Sequence, residues 1–430
     1  MDISVVNKLD ASIKYDRYIT FSSKNKHADV LIETFLDVWN IKRHLRNIKD
    51  DKRIVFDVND VDPKHKKGLM NRIVQSMYTF CFYKTSCPTR PSLIFVDKSF
   101  QKDCRHDIQA EYYVANFVRD ISNQVSNKMT PTDFCDAAQK LFAHHPTTRV
   151  TILDEHDLAQ QGMNLILATG AGSANSPRLL VVETLHNDKR DCVCVVGKGV
   201  TYDSGGYNLK SKSAMYGMHL DKTGGAICLG LMKYFSKFHL KKKLVIVVPL
   251  IENSISHTAI KPGDVITSYS GKTVEIVDTD AEGRLILADA LSFACKKYKP
   301  KTIIDIATLT SWSSRLHCHT SYVYFTLNEM LAYAVNHTGE KECERSLRIP
   351  AWAEYMKLTK SHIADVKNYG FTECVNSDGF MASMFLMNFV PPRFRMNWIH
   401  FDIKHISTHP QLGMSEGFHT LISVLRSLVI

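Results

Sequence analysis

The chain has 430 residues, of which 44% are hydrophobic and 23% are charged, and it carries a formal net charge of +10. This composition is ordinary for a globular protein long enough for two domains. No apolar run reaches the ~18 residues that a bilayer-spanning helix needs, and residues 1–4 lack a basic segment before an apolar core, so neither a membrane partner nor a signal peptide is expected.

The basic charge would suit nucleic acid or acidic peptides, but we favour a basic surface without such a partner. The 11 cysteines are odd in number and form no Cys-x-x-Cys pair. That pattern predicts a reducing, cytoplasmic location and argues against a zinc–thiolate site. Cys192 and Cys194 alternate within an apolar run and are interpreted as small buried hydrophobes.

The first part of the chain predicts a small α/β domain at residues 1–105. Strands are predicted at residues 18–21, 53–58 and 92–96. Helices are predicted at residues 28–41 and 68–82. No catalytic constellation is found here.

A long amphipathic helix predicted at residues 107–126 links this domain to the next. Thr130 is a credible N-cap for a further helix, because Pro131 follows at its first position. Strands then alternate with helical segments, and are predicted at residues 149–154, 179–183, 192–196, 244–250, 302–306 and 398–402. Such alternation predicts a larger α/β domain, residues 106–430, with a mostly parallel central sheet flanked by helices.

Charged residues and glycines follow the strand predicted at residues 192–196. Lys198 and Asp203 come first, and Lys210 and Asp221 lie further along. Glycines allow the backbone to approach a ligand closely, and carboxylate oxygens from several segments are typical ligands of divalent cations. A metal site is the functional interpretation, although each residue alone also fits a surface charge.

A second acidic cluster lies between a predicted strand, residues 273–277, and a predicted helix. Two carboxylates and a guanidinium fall within five residues of the run Thr279-Asp280-Ala281-Glu282-Gly283-Arg284-Leu285. Strand-to-helix junctions are where α/β folds place their chemistry. Acidic residues are also favourable at helix N-termini. This run alone therefore leaves open both a catalytic site and an ordinary helix start.

Together the two clusters resemble the leucyl aminopeptidase family, the cytosol aminopeptidases that use two metal ions. Residues 196–206 are similar to one family signature and residues 279–285 to the other. The spacing also fits, with 7 residues from Asp203 to Lys210, 11 from Lys210 to Asp221 and 59 from Asp221 to Asp280. The resemblance covers roughly residues 110–430.

The resemblance implies an aminopeptidase with two divalent ions, Zn²⁺ or Mn²⁺, with Mg²⁺ and Co²⁺ as alternatives. It implies that Asp203 and Glu282 bridge both ions. Lys198 and Asp221 would complete the ligand shell of one ion, and Asp280 that of the other. A lysine ligand must be neutral, so its pKa has to be lowered by the metal and by burial.

Two further charged residues are implied to act on the reaction itself. Lys210 would stay charged and bind the developing oxyanion. Arg284 would hold a bicarbonate ion as the general base, because its planar fork matches a planar anion, and the backbone of Leu309 would contact the same anion. No side chain in the motifs is an obvious general base.

The substrate pocket is implied by Met218, which matches a pocket methionine of the family, with Met414 as a second candidate and Thr308 nearby. Flexible thioethers would line an apolar, permissive pocket for an N-terminal leucine or methionine. Both methionines also fit ordinary core packing. The resemblance further implies peptide substrates and a homo-oligomer, a hexamer, in which the N-terminal domain, shorter than usual for the family, assists assembly and shields the active site.

The sequence departs from the family pattern outside the ligands. Asp278 and Ile260 each stand where asparagine is usual, and Phe380 and Met381 replace small residues. These changes leave substrate specificity and subunit contacts open. An alternative is a catalytically weak scaffold that binds nucleic acid through its basic surface, although no ligand is lost. A phosphate-ester hydrolase is disfavoured by the spacing of residues 280–284.

Overall fold

The computed structural model describes residues 3–6, 8, 14–21, 30–31, 53–87, 91–99, 102–185, 191–311, 321–370, 378–403 and 417–430. Contacts divide the chain into two units. One unit is Met1–Asn116 with His337–Glu344, and the other is Phe117–Asn336 with Arg345–Ile430. Within the described ranges, no helix has both the length and the apolar character needed to cross a bilayer.

The first unit contains a five-stranded parallel sheet in the order β1-β5-β4-β2-β3. Its strands are β1 (Ile3–Val6), β2 (Arg17–Thr20), β3 (Val30–Leu31), β4 (Arg53–Asp57) and β5 (Ser92–Val96). Its helices are α1 (Pro63–Ser76) and α2 (Lys102–Asn123), the latter continuing into the second unit. Apolar side chains of β4, β5 and α1 form one core. Most of the helix predicted at residues 28–41 lies outside the described residues.

The segment after α1 differs from the prediction, because the helix ends at Ser76 and not at residue 82. Cys81 and Cys87 form a disulfide with their Cα atoms 5.7 Å apart. Residues six apart in an α-helix are separated by about 9 Å along its axis, so this closed loop is incompatible with a continuing helix. The disulfide also departs from the expectation of reduced thiols.

The second unit contains most of the regular elements. The first half of its helices and strands comprises α3 (Pro131–Phe142), β6 (Thr148–Leu153), α4 (Glu155–Gln161), α5 (Asn164–Gly170), β7 (Arg178–Thr184), β8 (Cys192–Gly197), β9 (Gly199–Asp203), α6 (Lys212–Met215), α7 (Thr223–Phe235) and β10 (Lys243–Asn253). Thr130 caps α3 as predicted, accepting the N–H of Asp133 while the Asp133 carboxylate accepts the N–H of Thr130.

The second half of this unit continues the alternation. Its elements are β11 (Val265–Thr267), β12 (Thr273–Glu275), α8 (Glu282–Tyr298), β13 (Thr302–Ala307), β14 (Tyr322–Thr326), α9 (Glu329–Lys341), β15 (Ser346–Arg348), β16 (Val366–Lys367), α10 (Asp378–Met387), α11 (Pro392–Arg395), β17 (Trp398–Asp402) and α12 (Phe418–Val429). Part of α9 belongs to the first unit. β11, β12 and β16 form a separate three-stranded sheet.

The central sheet is nine-stranded and has the order β15-β14-β17-β13-β8-β10-β7-β6, with β9 also paired to β10. The four strands β17, β13, β8 and β10 run parallel, and β7 pairs antiparallel with both β10 and β6. β14 pairs antiparallel with β17 and parallel with β15. Every residue of β8 is buried, as expected for a parallel strand covered on both faces. The predicted α/β class with a central sheet flanked by helices is therefore confirmed.

Parallel strands end at a common edge of the sheet, and polar residues occur there. Lys198 follows β8, Thr308 follows β13, Asn253 ends β10 and Asp402 ends β17. The carboxyl edge of a parallel sheet is where such folds place ligands. The topology therefore gathers residues that are far apart in sequence at one edge.

Asp289, which is fully buried in the second turn of α8, fixes neighbouring segments. One carboxylate oxygen accepts the N–H groups of Leu165 and Ile166 at the start of α5 (2.9 and 3.3 Å), and the other accepts the N–H of Tyr269 (2.7 Å). Asp289→Ala should cost about 3 kcal/mol of unfolding free energy, because buried donors lose their acceptor.

Denaturant unfolding checks this, with Asp154→Ala as the matched control. Asp154 also accepts a backbone N–H at a helix start, but it is exposed, so its loss should cost about 1 kcal/mol. Equal losses for the two variants would contradict the role given to Asp289.

Candidate metal centre

Four carboxylates and two lysines converge at the carboxyl edge of the sheet. The residues come from separate elements: Lys198 follows β8, Asp203 ends β9, Asp221 lies in the 3₁₀ helix Met218–Lys222, and Glu282 begins α8. One oxygen each of Asp203, Asp221 and Glu282 lies within 4.8 Å of the other two, and all three residues are buried. Four of the predicted ligands thus share one site, and Asp280 and Lys210 join it through ion pairs.

Each lysine bridges two carboxylates. Lys198 Nζ lies 2.7 Å from both Asp221 Oδ2 and Glu282 Oε1. Lys210 Nζ lies 2.7 Å from Asp203 Oδ2 and also pairs with Asp280. Four carboxylates against two ammonium groups leave the site two negative charges in excess when all are ionised.

The path of Lys198 explains the glycine in the second motif. A Cβ atom at Gly283 would lie 2.5 Å from Lys198 Cε and 2.8 Å from its Nζ. Any side chain at Gly283 would therefore displace Lys198 from the two carboxylates it bridges. Glycine is required here by close approach and not by backbone conformation.

Crowding shifts the pKa values of the carboxylates. Burial, followed by the charge of Glu282, raises the pKa of Asp203 to about 7. Burial also raises the pKa of Asp221 to about 6 and, with the charge of Asp203, that of Asp280 to about 8. Burial opposes ionisation of Glu282 as well, but the two lysine charges outweigh it and lower its pKa. Carboxylates held this close favour a bound cation, which relieves their repulsion.

Lys198 is protonated in this arrangement. Burial lowers its pKa, but the carboxylates of Asp221 and Glu282 outweigh burial and hold that pKa above its ordinary value. Since a ligand must be deprotonated, an ion that binds Lys198 has to displace its proton.

The donor set fits divalent cations. Glu282 Oε2 is buried and accepts no hydrogen bond within the described part of the chain, so this oxygen is free to bind an ion. Carboxylate oxygens suit Mg²⁺ and Mn²⁺, and a lysine nitrogen beside them also suits Zn²⁺. The residues present are therefore compatible with the metal ions that the resemblance implies.

Two residues support the carboxylates in roles that the sequence analysis did not predict: Asn253 was not singled out there, and Thr308 was given another role. Asn253 Nδ2 donates to Asp203 Oδ1 (2.8 Å) and to the carbonyl of Thr279 (3.1 Å). Thr308, predicted beside the substrate pocket, donates from Oγ1 to Asp221 Oδ1 (2.7 Å), and its carbonyl accepts from Lys198 Nζ (3.0 Å). In the sequence, the only sign of a functional role for Asn253 was its position as a polar amide at the end of a long apolar strand.

The two motifs are joined directly by hydrogen bonds. Thr279 Oγ1 donates to the carbonyl of Gly205 (2.7 Å) and accepts the N–H of Asn208 (2.9 Å). Asn208 Oδ1 accepts the N–H of Thr279 in return (3.0 Å). These bonds connect the loop that carries Asp203 and Lys210 to the loop that carries Asp280.

Arg284 contacts a different set of groups. It is 2% exposed, and it donates from Nη1 to the carbonyl of Asn368 (2.9 Å) and from Nη2 to Asp378 Oδ1 (2.6 Å). The N–H of Leu309 donates to Asp402 Oδ1 (3.1 Å). Both groups implied to hold a bicarbonate ion are therefore engaged by carboxylates of the chain, and bicarbonate does not fit this arrangement.

The predicted pocket residues are only partly described. Met218 is half-buried and begins the short helix that carries Asp221. Met414 lies outside the described residues. Phe380 is half-buried on α10, its ring centroid 4.5 Å from that of Tyr355, and Met381 is fully buried. Met381 therefore fills the core, while Phe380 forms an aromatic pair.

Comparisons with known proteins agree with this geometry. The model of the cytosol aminopeptidase family, catalytic domain, matches residues 116–422. A probable cytosol aminopeptidase of Protochlamydia amoebophila (strain UWE25) is 37% identical over 320 residues, which cover 73% of this chain. The chain spans 63% of the length of that relative.

Solved structures share the fold. The bottromycin maturation enzyme BotP in complex with Mn has a TM-score of 0.78 and 25% identity, over 90% of this chain and 86% of that one. The leucine aminopeptidase of Caenorhabditis elegans has a TM-score of 0.84 over 98% of both chains, at 21% identity. The second likeness concerns the fold alone.

Proposed function

Because the chain belongs to the cytosol aminopeptidase family, we propose that it is a metal-dependent aminopeptidase that removes N-terminal residues from short peptides. The observation that carries the proposal is the buried group of Asp203, Asp221 and Glu282, whose oxygens lie within 4.8 Å of one another. Lys198 and Lys210 adjoin these carboxylates in the pattern that the family resemblance implies.

We propose two divalent ions, Zn²⁺ or Mn²⁺, with Mg²⁺ and Co²⁺ as alternatives. The Mn-bound relative supports a metal of this kind. Asp203 and Glu282 would bridge both ions, Lys198 and Asp221 would hold one of them, and Asp280 the other. When bound, such ions lower the pKa of a water molecule and polarise a peptide carbonyl. Bicarbonate is left out of the proposal.

Among the chain's own groups, Lys210 is the candidate for the oxyanion. Its side chain is 14% exposed, whereas that of Lys198 is 3% exposed, so Lys210 faces the more accessible side of the site. With Asp203 and Asp280 engaged as metal ligands, the ammonium group of Lys210 would be available to the developing negative charge. Asp203 and Asp280 then serve to orient it.

The substrate is proposed to carry leucine or methionine at its N-terminus. The support is limited to Met218 beside the metal-binding segment and to the resemblance, which also implies Met414. Thr308 holds Asp221 and would lie at the border of this pocket. Residues 106–430 would form the catalytic domain and residues 1–105 a domain for assembly and shielding, and we propose the cytoplasm as the location.

We further propose a hexamer, on the resemblance and on the apolar character of the catalytic domain's helices. Sites around an interior cavity would admit short peptides and exclude folded proteins. Light scattering should report six times the 48.9 kDa chain mass. A stable, active monomer would contradict it.

The function is tested by release of leucine from leucine amide. Metal-free protein should be inactive and should regain activity with added Zn²⁺, Mn²⁺ or Co²⁺. Activity that survives exhaustive chelation would refute the proposal. The nucleic-acid-binding scaffold has no support among the described residues or the relatives, and salt-dependent DNA binding by a protein without peptidase activity would be needed to favour it.

A further inference from the structure

Arg284 forms an ion pair with a carboxylate of the same chain. Asp378 Oδ1 lies 2.6 Å from Arg284 Nη2, and the two residues are 94 positions apart in sequence. A guanidinium that is 2% exposed needs a compensating negative charge, because an unpaired buried charge is costly. Asp378 supplies that charge from the first turn of α10, where a helix N-terminus favours an acidic side chain.

The contact lies where a planar anion would bind. A guanidinium offers two forks of parallel N–H groups, Nη1 with Nη2 and Nε with Nη2, so both forks share Nη2. In this chain Nη2 donates to Asp378 and Nη1 to the carbonyl of Asn368. Nε has no hydrogen bond among the described residues, and each Nη keeps a second N–H. A further anion on the fork of Nε and Nη2 would lie beside the Asp378 carboxylate, whose negative charge repels it.

Asn368 fixes the arginine in this position. Its side-chain oxygen accepts the N–H groups of Val277 (2.8 Å) and Asp278 (3.2 Å), and its amide donates to the carbonyl of Asp278 (2.6 Å). The carbonyl that accepts from Arg284 is therefore tied to the loop that precedes Asp280. Arg284 is held toward Asp378 by a rigid acceptor and not by the ion pair alone.

We propose that Asp378 takes the place of a planar anion on Arg284, so that this protein works without bicarbonate. The inference rests on the proposed aminopeptidase function, for which the resemblance assigns bicarbonate as the proton acceptor. A carboxylate fixed on Arg284 offers the same planar pair of oxygens at a permanently high local concentration. The Asp378 side chain is 27% exposed, so its carboxylate is partly accessible to solvent.

Calorimetric titration of the Zn²⁺-loaded protein with sodium bicarbonate tests the proposal without measuring activity. Wild type should give no binding heat, whereas Asp378→Ala should bind bicarbonate, because Arg284 loses its counter-charge. Asp378→Asn is the second variant, because it removes the charge but keeps the size of the side chain. It should also bind bicarbonate. Glu329→Ala is the matched control, because it removes the carboxylate of another arginine pair, Arg348–Glu329 at 2.7 Å; it should behave as wild type.

Hydrolysis of leucine amide in bicarbonate-free buffer gives the second readout. Wild-type kcat should not respond to added bicarbonate. Asp378→Ala should lose about 10²-fold in kcat, and bicarbonate should restore much of that loss. A merely structural role for Asp378 predicts no such rescue.

The calorimetric titration tests this inference independently of the proposed function. Bicarbonate binding by wild type, or absence of binding by both folded Asp378 variants, overturns the inference whatever the activity. Absence of peptidase activity in metal-loaded wild type, with bicarbonate bound by the Asp378 variants alone, refutes the function and leaves Asp378 as the occupant of the anion position.

Discussion

Asp203→Asn and Glu282→Gln should each empty the metal centre of both ions and lower hydrolysis of leucine amide by about 10³-fold or more, since such ions supply several kcal/mol of transition-state stabilisation. The reason is electrostatic. A carboxylate that touches both ions screens their mutual repulsion, and repulsion at short range is large where water is excluded. Asp203 and Glu282 are both at most 2% exposed.

Asp280→Asn should behave differently, because Asp280 is assigned to one ion. It should lose mainly that ion, measured as metal content per chain by atomic emission at one fixed ion concentration. Asp278→Asn is the matched control. Asp278 Oδ1 accepts the N–H of Asp280 (2.8 Å), an asparagine retains that acceptor, and both ions should remain. The bridging assignment fails if Asp280→Asn empties both sites while Asp203→Asn keeps both.

Lys210→Ala should lower kcat by about 10²–10³-fold, the usual cost of losing one oxyanion donor. Both ions should stay bound, because removing an ammonium group that pairs with Asp203 and Asp280 leaves the carboxylates more attractive to cations. KM should change little, since the interaction is made with charge that develops only in the transition state.

Steady-state kinetics and metal content of the same preparation check this expectation. Lys212→Ala is the control, because Lys212 is an exposed lysine two positions later and should show wild-type kcat. Release of an ion from the Lys210 variant would mean that the lysine holds the metal centre together and would contradict the oxyanion role.

The sequence was sufficient for the fold class and for the charged residues that meet at the candidate metal centre. Alternating strand and helix patterns predicted the parallel core of the larger unit, because β8, β10, β13 and β17 are buried and rich in apolar residues, which leaves a strong local signal. The ends of such strands share one edge, and this brings together residues that follow them, such as Lys198.

Some features of the fold required the tertiary structure. The antiparallel β7 and β6 look like other apolar strands in sequence, and their direction depends on the path of the connections between them. The Cys81–Cys87 disulfide depends on a loop closure that the helical periodicity of residues 68–82 concealed. Strand direction and loop closure leave no periodic trace in the sequence.

Within the site, the sequence determined which charges are present, and only the tertiary structure decided how they pair. The sequence identified Lys198, Lys210 and Arg284 as site residues. The partner of each one depends on which distant segments of the chain lie beside it in the fold. Asp378 contacts Arg284 across 94 residues because α10 begins beside the loop of Asn368. A pairing of this kind depends on side-chain geometry within a few ångströms, since hydrogen bonds and ion pairs weaken steeply with distance and angle.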